Sequence, residues 1–351
     1  MLTLAEALDR LPKVELHCHI EGTMRPRTLA ELASTHGRAL GVADPRELYR
    51  FDSLDGFLSA FWLAQSCLVT PDDWARLAYE SVVDGAAHGV VYRESFFTPA
   101  RHLAAGQDLG AIVEGLQEGL ARGEAETGTR VMLIADMDRA FGGDVGVDLV
   151  RALIGLRDRG RAQRVIGVGM DSTELGIDPA DYLDAYRLAG GSGLRLTGHQ
   201  GENSPPSAIL YDVEGLGVER IDHGYSILDD PDVARLVADR GIPLTVCPVS
   251  NVVIGNLVPR LEAHPWPRMV DAGLHVTLNS DDPAFTGSDL GQEYAAVADA
   301  FGYDFDTMVD IASAGVDATW LPPDAKATLR ARITTEADTL RRELRPATAS
   351  A

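Results

Sequence analysis

The chain has 351 residues, of which 45% are hydrophobic and 24% charged, a composition typical of a folded globular protein with a large core. Its net charge of −22 would repel a polyanion, and it has no apolar stretch of the roughly 18 to 20 residues that span a bilayer, so we expect neither nucleic acid nor a membrane as a partner. Cys18, Cys67 and Cys247 form no C-x-x-C pair, and MLTLAEALDRLPK lacks the pattern of a signal peptide, which together favour a cytoplasmic protein with a small-molecule substrate.

Short runs of β-branched residues alternate with longer segments of helical periodicity, the pattern of βα units around a parallel sheet. A closed barrel of eight strands commonly takes about 250 residues and tolerates insertions. The sequence therefore predicts an α/β fold, a (β/α)8 or TIM barrel, forming a single domain over residues 1–345 with a disordered tail at 346–351. The predicted strands are Val14–Ile20, Val90–Phe97, Val131–Met137, Val165–Ser172, Leu194–Gly201, Arg220–Tyr225, Leu244–Ser250 and His275–Asp282.

The segments between these strands repeat apolar residues every three or four positions, which predicts helices. About 70 residues follow the first strand, including DSLDGFLSAFWLAQSCL, and about 60 residues of helical pattern follow the last. We therefore expect extra helices near the barrel mouth after strand one and at the C-terminus. The clearest of the predicted outer helices are Asp72–His88, Leu109–Thr127, Pro179–Leu188 and Pro231–Asp239.

Ionisable side chains interrupt four of the predicted strands near their C-terminal ends, where barrel enzymes build their active sites. His17 and His19 are two residues apart on a strand, so both imidazoles point to one side and could share a metal ion, while Cys18 points outward. His199 could supply a third nitrogen and Asp281 a carboxylate oxygen. The alternative for any one of these histidines is a core residue hydrogen-bonded to the main chain.

The number of metal ions is restricted by the lysines. Many barrel hydrolases hold two metals bridged by a modified lysine on a strand in the middle of the barrel. This chain has only Lys13 and Lys326, and neither lies on such a strand. A single-metal site is therefore predicted, although three imidazoles and a carboxylate suit several divalent ions.

Two residues next to the predicted ligands could move protons. Glu202 lies three residues after His199, just beyond the strand end, where its carboxyl group could pass a proton to a ring nitrogen of a bound ligand. The alternative is a carboxylate favoured by the dipole of the following helix. His223, in R-I-D-H-G, is predicted to orient the water on the metal and to take its proton.

The tandem aspartates of N-S-D-D-P receive different roles. Asp281 is predicted to contact both the metal and the reacting water, which makes it catalytic as well as a ligand. The side chain of Asp282 alternates away from the metal and is predicted to hydrogen-bond the substrate. Its alternative role is to cap a helix that begins at Pro283.

Five motifs, H-x-H-x-E-G, H-x-G-E, R-I-D-H-G, C-P-x-S-N and N-S-D-D-P, occur in this order between Leu11 and Phe285. With them the chain resembles the adenosine/adenine deaminases. The resemblance implies a hydrolase that adds hydroxide at C6 of a 6-aminopurine, passes through a tetrahedral intermediate and releases ammonia. It also implies one zinc ion (Zn2+) per chain on His17, His19, His199 and Asp281, with Glu202 as proton donor to purine N1, His223 orienting the hydroxide, Asp282 at N7 and the N–H of Gly169 at N3.

The choice of 6-aminopurine depends on residues around these motifs. Adenosine-type enzymes usually carry Asp where this chain has Glu21, whereas E-S-F-F-T-P-A-R-H and N-S-D-D-P-A-F are similar to adenine-type enzymes. The pattern favours free adenine, with Glu21 beside the substrate. Gln200 and Asn203 replace the usual Ala and Glu, so adenosine and a modified 6-aminopurine stay open, as do another barrel amidohydrolase, a binding protein without catalysis, and the oligomeric state.

Overall fold

Eight parallel strands follow one another in chain order around one sheet, with helices between them. The structure, a computed structural model, describes residues 1–51, 54–255 and 257–344. The strands are β1 (Lys13–Glu15), β2 (Val90–Phe97), β3 (Arg130–Asp138), β4 (Val165–Asp171), β5 (Arg195–Gln200), β6 (Arg220–His223), β7 (Leu244–Val246) and β8 (Val276–Leu278).

The circle closes between the last strand and the first, at the level of the strand ends. The N–H of His19 donates to the carbonyl of Asp281 at 2.9 Å, and the N–H of Asp281 donates to the carbonyl of His17 at 3.1 Å. Further down, the side-chain oxygen of Asn279 accepts the N–H of Leu16 at 2.8 Å. The predicted (β/α)8 barrel is confirmed, and its closure sets His17, His19 and Asp281 side by side.

Helices surround the barrel and extend it at two places. The helices predicted after strand one and at the C-terminus are present. In chain order the helices are α1 (Leu4–Arg10), α2 (Pro26–Thr35), α3 (Leu54–Gln65), α4 (Pro71–Ala87), α5 (Ala100–Ala104), α6 (Leu109–Thr127), α7 (Gly143–Asp158), α8 (Leu183–Gly191), α9 (Pro206–Tyr211), α10 (Pro231–Arg240), α11 (Pro248–Val253), α12 (Trp266–Asp271), α13 (Pro283–Thr286), α14 (Leu290–Phe301), α15 (Phe305–Ala318) and α16 (Pro323–Glu343).

Three predicted strands were too long by four or five residues at their C-terminal ends, and the others end within two residues of their predicted ends. β1, β7 and β8 stop before their predicted ends at Ile20, Ser250 and Asp282 because the chain there leaves the regular ladder. Cys18 and Asp281 form an isolated bridge instead, and Pro248, which has no N–H for a ladder, begins α11. The helix predicted to start at Pro179 begins as a 3-10 turn that precedes α8. The strand tips are thus irregular, and they carry the site.

Charged side chains also cross the barrel interior toward its N-terminal end. Arg220 on β6 donates from Nη1 to Glu94 Oε2 on β2 at 2.6 Å, and both side chains are fully buried. The guanidinium of Arg220 lies 4.0 Å from the ring centre of Trp320, and the other oxygen of Glu94 accepts the hydroxyl of Tyr92 at 3.0 Å. This buried ion pair thus fills part of the barrel interior.

The structure bears on two further expectations. Over the residues it describes, it contains no helix with the length and apolar character needed to cross a bilayer. The tail predicted to be disordered, 346–351, lies outside the described residues.

Candidate active site

Two histidines are oriented so that one ring nitrogen of each is free for a metal ion. Nδ1 of His17 lies 2.9 Å from the hydroxyl of Thr245, which itself donates to Asp222 at 2.7 Å and therefore accepts from His17. Nδ1 of His199 lies 3.0 Å from the carbonyl of Met170, a group that can only accept. Both protons thus sit on Nδ1, and both Nε2 atoms present a lone pair, as in metal-bound histidines.

Four potential ligand atoms converge at the mouth of the barrel. Nε2 of His19 lies 3.1 Å from Nε2 of His199 and 3.4 Å from Oδ1 of Asp281, which is 3.2 Å from Nε2 of His17. Ligands at about 2.0 to 2.1 Å from a tetrahedral zinc ion would lie about 3.4 Å apart. Nε2 of His17 is buried and has no hydrogen-bond partner among the described residues. The four side chains therefore fit one divalent cation.

The electrostatics of these residues favour metal binding. Burial lowers the pKa of His19 to about 3, and burial with the neighbouring imidazoles lowers the pKa of His199 well below its usual value. Burial opposes protonation of His17, but the carboxylates of Asp281 and Asp222 raise its pKa. Burial would also raise the pKa of Asp281, yet the imidazoles, His17 first, hold it well below its usual range. His19 and His199 thus present neutral nitrogens beside an ionised carboxylate, and the raised pKa of His17 shows that the same point favours positive charge.

The two predicted proton-transfer residues lie next to this cluster. Nε2 of His223 is 3.8 Å from Oε1 of Glu202, and its ring centre is 4.5 Å from that of His17. Nδ1 of His223 is buried without a hydrogen-bond partner in the described part of the chain. Glu202 remains 30% exposed, in the loop after β5. The two side chains therefore reach the same small volume from neighbouring strand ends.

The backbone around this cluster is strained. Among the described non-glycine residues, positive φ angles occur at Ser172 (69°), His223 (66°) and Asp281 (65°). The three follow or end β4, β6 and β8. A residue in this left-handed region costs about 1 to 3 kcal/mol and is frequently found at functional sites.

Asp282 is directed into the site and does not cap the next helix. It precedes Pro283 at the start of α13, but its side chain makes no capping hydrogen bond to the described residues, so the capping alternative is wrong. Its carboxyl group lies against Gly22, where a Cβ would collide with it. Burial, followed by the charge of Asp281, raises the pKa of Asp282 well above its usual value. A neutral carboxyl group here could donate a hydrogen bond.

A cavity of about 130 Å3 opens beside the ligand cluster. One wall comes from α3, which lies across the barrel mouth with aromatic side chains, and the opposite wall comes from the strand tips. The residues around it are His19, Phe57, Leu58, Phe61, Trp62, Gln65, Thr98, Arg101, Asp138, Asp171, Ser172, Thr173, His199, Glu202, Asn203, His223, Ile254, Asp281 and Asp282.

Two of the predicted substrate-binding residues, Glu21 and Gly169, do not line this cavity within the described chain. Glu21 lies behind the wall, where it accepts the N–H of Thr98 at 2.9 Å, and burial raises its pKa to about 7. Gly169 lies inside β4 opposite Asp136, whose carboxylate a Cβ at position 169 would meet. Their contacts with a substrate stay predictions, and Ser172, further along β4's exit, is closer to the cavity.

Sequence reasoning missed a buried carboxylate that holds the Glu202 loop. Glu174 accepts the N–H groups of Gly201 at 2.8 Å and Glu202 at 2.9 Å, together with the amide of Gln200 at 2.6 Å and the hydroxyl of Ser204. It lies just past the end of β4, as Glu202 lies past β5. The rule that selected Glu202, a carboxylate beyond a strand end, would also have selected Glu174.

Gln200 also belongs to this network and does not face the cavity. Its Oε1 lies 3.3 Å from the guanidinium of Arg139, which also donates to the carbonyls of His199 and, at 3.0 Å, Ser172. Successive residues of a strand face opposite sides, so the side chain of His199 points inward and that of Gln200 outward. Asn203, the other unusual residue, does line the cavity.

The sequence matches the family model described as adenosine deaminase over residues 12–336. The chain belongs to the adenosine deaminase family. Among relatives in the family, it is 39% identical to the adenine deaminase of Streptomyces coelicolor, over 96% of this chain and 97% of that one. It is 36% identical to the adenine deaminase of Rhodospirillum rubrum, over 93% and 97%.

Solved structures that superpose on this chain have the same architecture. An adenine deaminase from Arthrobacter aurescens superposes with a TM-score of 0.89 at 32% identity, covering 93% of this chain and 99% of that one. An amidohydrolase from Burkholderia ambifaria with bound Zn has a TM-score of 0.90 at 30% identity, covering 98% and 95%. Together with the four convergent ligand atoms, this likeness indicates a metal site.

Proposed function

We propose that this chain is a zinc-dependent adenine deaminase that converts adenine to hypoxanthine and ammonia, with one zinc ion per chain. The observation that carries the proposal is the convergence of His17, His19, His199 and Asp281 beside Glu202. The atom pairs His19–His199, His17–Asp281 and His19–Asp281 lie 3.1 to 3.4 Å apart. Family membership supports it, as does the similarity to the adenine deaminases of Streptomyces coelicolor and Rhodospirillum rubrum.

In this proposal the residues at the strand tips divide into those that hold the zinc ion and those that contact the water or the purine ring. A zinc ion on the four ligands would lower the pKa of its bound water toward neutrality. His223 takes a proton from the attacking water and keeps its oxygen directed at C6. Glu202 donates a proton to N1 as the water oxygen adds to C6, and Asp282, in its neutral form, donates to N7. Asp281 accepts a hydrogen bond from Ser250 at 2.6 Å, which fixes its other oxygen toward the ligand cluster.

The free base is the substrate that the cavity supports best. Its volume of about 130 Å3 lies below the roughly 300 to 1,000 Å3 of sites for drug-sized ligands, which suits a single purine ring system. Gln200, whose size had suggested a modified substrate, is turned away from the cavity. Asn203 lines the cavity, so we expect this residue to affect the turnover of N6-substituted or ribosylated purines.

Turnover assays test the proposal. The zinc-loaded protein is incubated with adenine, adenosine, deoxyadenosine and N6-methyladenine, and ultraviolet absorbance and ammonia are followed. We expect adenine to have the highest kcat/KM, and Glu202→Gln to lower kcat by roughly 100- to 10,000-fold while the metal content is retained. Glu118→Gln, at an exposed position on α6, is the matched control. Zinc-loaded protein without turnover on any of these purines, but with turnover of another cyclic amide or an ester, would identify a different barrel amidohydrolase.

We further propose a single domain over residues 1–345 and a cytoplasmic location. One barrel includes every strand from β1 to β8, and α15 and α16 pack against each other after it, which supports one folding unit. Cys18, Cys67 and Cys247 are buried free thiols, in keeping with a reducing compartment. The partner is then a small purine, and the net charge of −22 argues against nucleic acid.

A further inference from the structure

A chain of hydrogen bonds leads away from Glu202 through three side chains to the turn before α12. The hydroxyl of Tyr225 lies 3.2 Å from Oε1 of Glu202, and Nδ2 of Asn251 donates to that hydroxyl at 2.8 Å. Oδ1 of Asn251 lies 3.0 Å from Nε2 of His264. Asn251 belongs to the C-P-x-S-N motif, and the motif alone predicts no role for it. The chain therefore joins three segments, β6's exit, α11 and the turn before α12, to one carboxyl group.

The far end of the chain sets the direction of every donor in it. The backbone N–H of Trp266 donates to Nδ1 of His264 at 3.0 Å, so that nitrogen carries a lone pair. Since His264 is buried and its pKa is lowered to about 4 by burial, the imidazole is neutral and its proton lies on Nε2. That proton is donated to Oδ1 of Asn251, which fixes the amide so that Nδ2 faces Tyr225. The Tyr225 hydroxyl accepts from Asn251 and is left to donate to Glu202.

A one-way chain of this kind distinguishes the two oxygens of the carboxyl group. Oε1 of Glu202 receives the Tyr225 hydrogen. Because the carbonyl oxygen of a carboxylic acid is a better acceptor than its hydroxyl oxygen, this bond favours the acid proton on Oε2. We propose that Tyr225, Asn251 and His264 are positioning residues that keep the transferable proton of Glu202 on Oε2. This inference rests on the proposed function of Glu202. In the transfer the Oε2–H bond breaks, the N1–H bond forms, and the electron pair of the C6–N1 double bond moves to N1 while the water oxygen bonds to C6.

Two conservative variants break the same link by different means. Tyr225→Phe removes the hydroxyl. Asn251→Asp replaces the amide donor with an acceptor, so the Tyr225 hydroxyl turns to donate to the new carboxylate and leaves Oε1 of Glu202 unpaired. Both variants remove the same hydrogen bond, the one from Tyr225 to Glu202. The double variant should therefore lower kcat no further than either single variant. A purely structural role would instead give two independent defects whose effects multiply.

The test measures kcat and KM for adenine in the zinc-loaded wild type, both single variants and the double variant, with bound zinc and Tm recorded for each. We expect each single variant to lower kcat between about 10-fold and 100-fold, with KM within about twofold and zinc retained. The double variant should be no slower than the slower single variant by more than about twofold. Tyr92→Phe, which removes a hydroxyl bond to Glu94 near the other end of the barrel, is the matched control and should leave kcat unchanged.

Three results would overturn the inference. They are a wild-type kcat in the single variants, a double variant in which the two reductions of kcat multiply, and reductions of kcat that match the loss of bound zinc. If Asn251→Asp does not fold, Tyr225→Phe, which lacks only one oxygen, decides the question through kcat and KM. A wild type without turnover on any purine is a different result, because it rejects the proposed function itself.

Discussion

The carboxylate of Glu174 lies under the loop that carries the proposed acid, and its Oε1 accepts the backbone N–H of Glu202 at 2.9 Å. Its Oε2 accepts the N–H of Gly201 at 2.8 Å, where φ is +84°. Successive N–H groups directed at one anion form a nest, in which a carboxylate is bound as a fixed ligand. Glu174 therefore holds the main chain of Glu202, while Tyr225 holds its side chain.

Replacing this anion should loosen the loop without disturbing the metal. We expect Glu174→Gln to lower kcat for adenine by roughly 10- to 100-fold. The new side-chain NH2 group would face the backbone N–H groups that the carboxylate accepts, and their repulsion would displace Glu202. Steady-state kinetics and metal analysis check the result, with Glu214→Gln at the surface as the control. Unchanged kcat, or a loss of bound metal equal to the loss of activity, would contradict this account.

Metal affinity should depend on a hydroxyl that touches no metal. Thr245 accepts from Nδ1 of His17 at 2.9 Å and so keeps the lone pair on Nε2. We expect Thr245→Val to weaken metal binding by about 10- to 100-fold, the range typical of groups that orient a metal-bound histidine. Competition with a chelator measures it. Thr277→Val, a buried threonine on β8 whose hydroxyl donates to the carbonyl of Leu244, serves as the control and should retain its affinity.

Gln200 should affect stability and leave the choice of substrate unchanged. Its side chain pairs with Arg139 and Glu174 on the outer side of β5, so Gln200→Ala leaves buried partners unsatisfied. We expect a loss of about 1 to 3 kcal/mol in the free energy of unfolding and an unchanged ratio of kcat/KM for adenine over adenosine. Urea unfolding and the substrate panel give the two values. Asn203→Ala, at the cavity edge, should change the ratio of kcat/KM for adenine over adenosine and leave the free energy of unfolding unchanged. A changed ratio in Gln200→Ala would refute the conclusion that Gln200 faces away from the substrate.

A buried glutamate should make stability depend on pH. Burial raises the pKa of Glu293 from 4.5 to about 8, although its Oε1 accepts the N–H of Val249 at 2.8 Å. Because the folded value lies above the unfolded one, the contribution to stability is fully present below pH 4.5 and is lost as the pH rises through 8. Relative to Glu293→Gln, which stays neutral, the wild type should lose up to about 1.4 kcal/mol per pH unit in this window.

Unfolding free energies of both proteins at several pH values between 5 and 9 provide the measurement, at equal metal loading. Glu336→Gln, at an exposed position on α16, controls for a general effect of removing one acidic group and should follow the wild type. A constant difference between wild type and Glu293→Gln would show that Glu293 is ionised throughout.

The sequence predicted those parts of the molecule that follow from periodicity and from polar residues in apolar strands. β2 and α6 have the predicted bounds because their patterns are long and regular. The cluster was predicted because His17, His199 and Asp281 interrupt the predicted buried strands, where an unpaired polar group is costly. The predicted ends of β1, β7 and β8 were wrong because the periodicity of the sequence does not show at which residue a strand leaves the hydrogen-bond ladder.

Other features depend on contacts between distant segments, which no local pattern contains. Glu174 and Glu202 are 28 residues apart and meet because β4 and β5 are neighbours. Asn251 was visible in a motif, yet its role requires the positions of Tyr225 and His264. The sequence placed Gly169 in the fourth strand but could not show that it does not line the cavity. The residues that leave β4, from Ser172 onward, line it instead, and Ser172 has a left-handed backbone.

The left-handed backbone at Ser172, His223 and Asp281 has a consequence for engineering this protein. Glycine would relieve the strain at all three positions, but at two of them it would also delete chemistry. Ser172 is therefore the natural starting point for a heat-tolerant variant, since its carbonyl, which Arg139 binds, is retained by any residue. Selection for thermal tolerance and selection for turnover would diverge at the other two.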